Sequence, residues 1–294
     1  MAISYDHESQ TGDFLAVKPI PLPIFPPTIS MRDSTPLADR TAIVTGGASG
    51  IGRATAFLLA RQGARVFAAD IDFVAGTEAD FAAENIAQIV CDVTNETDVA
   101  GLMEWAETQT GRLDIVVNSA GVGLVKQITD VTVEEWDRCL DTNVKGAFLT
   151  AKHAIPKMRA MGGGSIINIA SNAGLLPRAH DPVYSISKGA LIALTKSLAL
   201  CHAPDRIRIN AVCPGPVGET RMMDAGLAAA PDRATAVREL LAASPFANAC
   251  GRMITPEEVA QAVLYLVSDA ALFVTGTSIA IDGGKSLGVP PKMG

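Results

Sequence analysis

Tyr184 and Lys188 lie in the run Val183-Tyr-Ser-Ile-Ser-Lys-Gly-Ala190. Four residues apart on a helix, they share one face and set an ammonium about one turn from a phenol. A phenol with an ordinary pKa of about 10 is a poor base at neutral pH. A fixed positive charge beside it favours the phenolate and brings it toward the range of a proton shuttle. Thirteen residues earlier, Ser171 closes an apolar run, Ile166-Ile-Asn-Ile-Ala170. A Tyr/Lys pair alone is common on half-buried helices; with a Ser at a strand end and a glycine-rich turn upstream it points to proton chemistry.

That turn is Thr45-Gly-Gly-Ala-Ser-Gly-Ile-Gly52. It stands where a strand becomes a helix, so its amides can approach a pyrophosphate at the positive helix end. Gly46, Ser49, Ile51 and Gly52 are its candidate contacts. Asp70 follows Gly52 by 18 residues, at the end of a second strand, and is placed to accept bonds from both hydroxyls of an adenosine ribose. The same carboxylate would repel a 2′-phosphate. With Ser49 and Ile71 neutral, NAD is favoured over NADP. Asp92 and Val93, ending a third strand, would meet the adenine. Asn118, Ala120 and Gly121 end a fourth, where small residues let the chain pass under the cofactor.

Elements that could position these groups alternate from Thr41 onward. Strands are expected at Thr41 to Thr45, Arg65 to Asp70, Ile86 to Asp92, Leu113 to Asn118, Ser165 to Ala170, Arg206 to Cys213 and Thr277 to Asp282. Helices fall between them: one to Gln62, one capped by Thr94, a long one opened by the Thr132/Glu135 capping box and running to about Met161, one from Pro182 to His202, and one opened by Thr255-Pro-Glu-Glu258. Strands apolar along their whole length and separated by helices imply a parallel sheet covered on both faces. The expected architecture is a single α/β domain over 39–294, doubly wound. Residues 216–252 form a long Ala-rich insertion with Met222, Met223, Leu227, Leu240 and Leu241, suited to a substrate lid. Residues 1–38 hold six prolines between Pro19 and Pro36 and no period. They are expected to be extended or disordered, or else to pack Ile20, Leu22, Ile24 and Phe25 on their own or a neighbouring subunit.

Composition narrows the classes. Of 294 residues 48% are hydrophobic, and the net charge of -7 comes without any block of Lys or Arg, so nucleic acid has no electrostatic handle. No apolar run reaches the roughly 18 residues that span a bilayer. Five scattered cysteines and four scattered histidines suggest a cytoplasmic chain with reduced thiols and no metal site.

Thr45-Gly-x3-Gly-Ile-Gly52, Asn118-x-Ala-Gly121, Asn143, Ser171, Tyr184-x3-Lys188 and Pro214-Gly215 occur in that order, and the chain from about 39 to 288 resembles the short-chain dehydrogenase/reductase family. The resemblance implies a seven-stranded Rossmann-type sheet and a catalytic tetrad of Asn143, Ser171, Tyr184 and Lys188. In it Tyr184 moves the alcohol proton, Lys188 lowers the phenol pKa and holds the nicotinamide ribose, Ser171 donates to the substrate oxygen, and Asn143 holds a water relay behind the lysine. Tyr184 and Lys188 therefore also face the cofactor. Pro214, Gly215 and Val217 carry over as nicotinamide contacts. Thr220 departs from the pattern, standing three residues after Val217 where the family usually has two. Enoyl reductases of the family place six residues between Tyr and Lys, against three here. The implied activity is hydride transfer between NAD(H) and a secondary alcohol or ketone. A non-catalytic NAD sensor and an epimerase or dehydratase on the same fold are the alternatives. Arg178, His180 and Asp181 stand just before Tyr184, where they could meet a polar or anionic substrate group. Pairing of the two helices from Thr132 and Pro182 across two-fold axes implies a homotetramer, with a dimer as second choice.

Overall fold

Seven strands pair in the order β3-β2-β1-β4-β5-β6-β7, every pair parallel. The computed structural model describes residues 35–176 and 178–288, so the proline-rich stretch through residue 34 lies outside it. The strands are β1 (Thr41–Thr45), β2 (Arg65–Asp70), β3 (Ala87–Val90), β4 (Ile115–Asn118), β5 (Gly164–Ile169), β6 (Ile207–Pro214) and β7 (Ser278–Ile281). Their alternation explains why they read as continuously apolar. On β1, Ala42 and Val44 join one core, and Ile43 between them joins the other. Each face needs its own cover, which the helices provide.

One face is covered by α1 (Gly50–Arg61), α2 (Glu78–Ala83) and α10 (Pro256–Val267), through Leu59, Phe81, Val263 and Leu266. On the other face lie α3 (Glu96–Thr110), α5 (Gly146–Ala160) and α6 (Pro182–His202), through Leu102, Met103, Leu149, Met158 and Ala199. Burying one such aliphatic side chain stabilises by about 1.5–3 kcal/mol. The strand order reverses between β1 and β4, and there the carboxyl ends open a crevice.

Four local expectations need correction. The folded chain begins earlier than residue 39: Leu37 is fully buried in the α1 core, and its amide donates to Gln62 O at 2.9 Å. β3 is shorter than Ile86 to Asp92, because the Asp92 carboxylate turns the chain by accepting from the Thr94 amide and hydroxyl. That use of Thr94 leaves capping of α3 to Asn95, whose Oδ1 accepts from Thr97 and Asp98. The long helix from Thr132 is broken in two. α4 (Val133–Leu140) and α5 are joined by a π-helical turn, Asp141–Lys145, with Asn143 buried at its centre. Such turns offset a side chain from the α register and recur at functional sites. Both predicted capping boxes, Thr132/Glu135 and Thr255/Glu258, are present.

Candidate active site

The glycine-rich turn is shaped by contacts that leave no room for side chains. A Cβ on Gly46 would lie 2.7 Å from Ala120 N, and one on Gly52 would lie 2.0 Å from Gly46 O. The turn therefore lies directly against the end of β4. Thr45 ties the two strands: its hydroxyl accepts from the amides of Ser119 and Ala120 at 3.2 Å. Ser49 begins α1 in an extended conformation without a side-chain capping bond, so the first helical amides are left to an incoming anion. This cradle fits a dinucleotide pyrophosphate.

Asp70 ends β2 and folds back on the turn, Oδ2 accepting from Ala48 N at 3.0 Å. Its neighbour Ile71 is 67% exposed, and no cation forms an ion pair with Asp70 among the described residues. The side chains of Asp92 and Val93 are engaged elsewhere: Asp92 in its turn, Val93 packed on Gly146, where a Cβ would come within 2.9 Å. Asn118 also points inward. Its Oδ1 accepts from Thr150 at 2.7 Å, its Nδ2 donates to Asn168 at 2.8 Å, and Asn168 donates to Thr195 at 2.9 Å. This buried chain of amides and hydroxyls fastens β4 and β5 to α5 and α6. Sequence reasoning missed it; the one signal was Asn168 inside an otherwise apolar strand.

α6 opens at Asp181 and presents Tyr184 and Lys188 on one face, Nζ 5.7 Å from the ring centroid of the phenol. Ser171, 7% exposed at the end of β5, accepts from Ala173 N at 3.1 Å and donates to Asn172 Oδ1 at 3.3 Å. Lys188 is 4% exposed and donates to Ile169 O at 2.9 Å. Burial pulls its ammonium down to about 8. The expectation that Lys188 sets the phenol pKa needs correcting. Burial is the largest influence on Tyr184 and pushes it up, with the Ser171 bond and the Arg178 charge opposing it. The lysine is turned toward the strand end, where a Cβ on Gly121 would lie 3.4 Å from Nζ and 3.1 Å from Asn143 Oδ1.

Asn143 acts as a clamp. Its Oδ1 accepts from Val122 N at 2.8 Å, and its Nδ2 donates to Val122 O at 2.9 Å and to Ser187 at 3.0 Å. One amide thus fixes the loop after β4 to the helix carrying the Tyr/Lys pair. After β6, Gly215 sits against Asp282, and Val217 bridges Ile254 in parallel. Thr220 caps α7 (Arg221–Ala228), accepting from Met223 N at 3.2 Å, with its methyl 3.1 Å from the Cβ position of Gly50. It lies over the glycine-rich turn.

The insertion folds as α7, α8 (Arg233–Ala242) and α9 (Pro245–Cys250). Met222 reaches over the loop after β4, its Sδ 3.3 Å from the Cβ position of Gly123. Phe246, at the start of α9, is 71% exposed. Among the described residues no group of three or more metal-ligating side chains converges, and no helix is long and apolar enough to cross a membrane.

Known proteins match this arrangement. A family model described as enoyl-(acyl carrier protein) reductase matches residues 46–286. A cis-4-hydroxycyclohexanecarboxylate dehydrogenase from Sinomonas cyclohexanicum is 40% identical over 84% of this chain and 96% of its own. A cyclopentanol dehydrogenase from Comamonas sp. is 38% identical over 84% and 96%. The solved structure of a short-chain dehydrogenase/reductase from Burkholderia xenovorans superposes with a TM-score of 0.81 at 33% identity, covering 87% of this chain and all of that one. On these matches over most of its length, the chain belongs to the short-chain dehydrogenase/reductase family.

Proposed function

We propose that this protein is an NAD-dependent dehydrogenase of secondary alcohols, working in reverse as a ketone reductase. The observation that carries the proposal is that Ser171 follows β5 directly where Lys188 bonds Ile169 O, with the Tyr184 ring beside the lysine and a glycine cradle suited to a dinucleotide on the same sheet. NAD, when bound, accepts or supplies the hydride. Tyr184 takes the alcohol proton in oxidation and returns one to the ketone oxygen in reduction. Ser171 donates to the same oxygen and stabilises the charge that grows there. Lys188, held by Ile169 O, would bind the nicotinamide ribose hydroxyls and so orient the cofactor beside Tyr184. Asn143 positions the loop over which the substrate lies.

Asp70 supports NAD over NADP, since a 2′-phosphate would meet a carboxylate with no cation opposite it. The two named relatives act on ring alcohols, and the exposed Met222 and Phe246 above the site suit an alicyclic substrate. We assign the enzyme to the cytoplasm on its five free thiols, with a homotetramer as its assembly. Phe148 on α5, with Ile186 and Leu200 on α6, leaves apolar surface exposed on the two helices that would pair. The functional test is a screen of cyclic and acyclic secondary alcohols with NAD, following absorbance of the reduced cofactor. NAD binding without hydride transfer to any of them would contradict the proposal.

A further inference from the structure

We propose that Ser187, the residue before Lys188, is a positioning residue for Tyr184. Its hydroxyl ties the first turns of α6 to Asn143, and through Asn143 to the loop after β4. This rests on the dehydrogenase reading above and adds to it the group that holds the acid/base in register with the cofactor side.

Ser187 is fully buried. Its Oγ donates to the backbone carbonyl of Tyr184 at 2.7 Å and accepts from Asn143 Nδ2 at 3.0 Å. A serine that bonds back to its own helix is ordinary. The second bond is what makes this one a link. Asn143, 2% exposed in the π-helical turn, grips Val122 from both sides, through its N at 2.8 Å and its O at 2.9 Å. Hydrogen bonds therefore run unbroken from Val122 to Asn143, to Ser187 and to the Tyr184 carbonyl. Gly121, next to Val122, is the residue whose Cβ position lies 3.4 Å from Lys188 Nζ. The stretch of loop that Asn143 grips thus passes directly beside the lysine.

α6 is fixed to its two neighbours in different ways. Toward β5 the contact is backbone on backbone: a Cβ on Gly174, in the turn after Ser171, would lie 2.7 Å from the carbonyl carbon of Lys188. Toward the β4 loop, among the described residues, the Ser187 bond is the one hydrogen bond from Asn143 to α6. The remaining contact of Nδ2 is Cys139 Sγ at 3.5 Å, a weak acceptor. Without the Ser187 hydroxyl, one amide hydrogen of Asn143 has no oxygen to bond in a dry interior. The amide must then turn toward the thiol and loosen its grip on Val122. Ser171 keeps its place on α6, while the loop beneath the cofactor drifts from Tyr184. A shift of about 1 Å between reacting groups can cost roughly a hundredfold in rate.

The test combines hydrogen exchange at the Val122 amide with NAD affinity, kcat and KM for a secondary alcohol in Ser187→Ala. Exchange at Val122 should quicken by roughly tenfold or more, and kcat should fall by roughly tenfold or more. KM for the alcohol and NAD affinity should stay within about threefold of native. Ser187→Cys, close in size and a weak donor, should fall between the two, and it carries the comparison if Ser187→Ala does not fold. Cys139→Ala empties space in the same cluster and should leave exchange and kcat within about twofold, separating the lost hydroxyl from loosened packing. In an Asn143→Ala background, Ser187→Ala should lower kcat by less than about twofold more, because the link is already broken. Additive losses, or a change in exchange or kcat without the other, would overturn the proposal. Native exchange with native kcat would sink it and leave the dehydrogenase reading standing. Faster Val122 exchange in Ser187→Ala, in a protein that oxidises no alcohol, would support the link and overturn the dehydrogenase reading.

Discussion

The cofactor end and the substrate end of this cleft are built by different means. At the cofactor end backbone meets backbone: Gly46 against Ala120, Gly52 against Gly46, Gly215 against Asp282. At the proposed substrate end the walls are side chains, with Met222 and Phe246 on the lid. Backbone contacts admit few residue types, so the first region resists change. Side-chain walls admit many, and the second region can be altered without disturbing the fold.

The sharpest way to break this contrast is to make one substitution at each end. Gly52→Ala forces a Cβ to within 2.0 Å of a backbone oxygen and should cost roughly 3 kcal/mol or more, or prevent folding. Met222→Ala on the lid should change stability by no more than about 0.5 kcal/mol. Urea denaturation of both variants measures the difference, and comparable losses would remove the distinction.

Asp70→Ser combined with Ile71→Arg exchanges a repulsive charge for an attractive one at the ribose. It should shift the ratio of kcat/KM for NADP over NAD by roughly a hundredfold. Unchanged cofactor preference would place the 2′ position elsewhere.

Lys188 links the two ends, and its burial has a cost. Its ammonium is pulled down to about 8, so the folded state holds that proton less tightly than the unfolded chain. The penalty is fully present below pH 8 and fades as pH rises toward the ordinary lysine value. Lys188→Met should therefore stabilise the cofactor-free protein by roughly 1–2 kcal/mol at pH 7, after allowing for the lost bond to Ile169 O. The gain should shrink toward pH 10, while turnover is lost. A destabilised variant at pH 7 would mean that the ammonium is better solvated than its burial implies.

A smaller effect concerns rate and pH. Because burial pushes Tyr184 up, the phenolate needed for oxidation grows with pH across the whole range from 7 to 10, by at most about tenfold per unit. Alcohol oxidation should therefore climb from pH 7 to 10, and ketone reduction should not. Parallel profiles would argue against a single phenol serving both directions.

The contrast also explains what was legible in the sequence. A turn that only glycine can occupy leaves glycines at fixed places, and strands buried on both faces leave unbroken apolar runs. The sheet and the close-packed glycine-rich turn could therefore be read directly. The Tyr184/Lys188 spacing was equally plain, because helical periodicity converts it into geometry. The π-helical turn at Asn143 left no mark, since Asp141-Thr-Asn-Val-Lys145 reads as ordinary helix and the offset comes from the clamp on Val122. The upward shift of Tyr184 was hidden for a similar reason: burial is set by the packed surroundings, which spacing does not reveal.

The most direct test of the whole account is Tyr184→Phe, with NAD affinity and kcat for a secondary alcohol measured on the same preparation. The substitution removes one hydroxyl and keeps the ring. The account predicts NAD binding within about twofold of the native enzyme and a kcat lower by roughly a hundredfold or more. A variant that retains a tenth or more of native kcat would show that the phenol is not the proton carrier, and the proposed mechanism would fall with it.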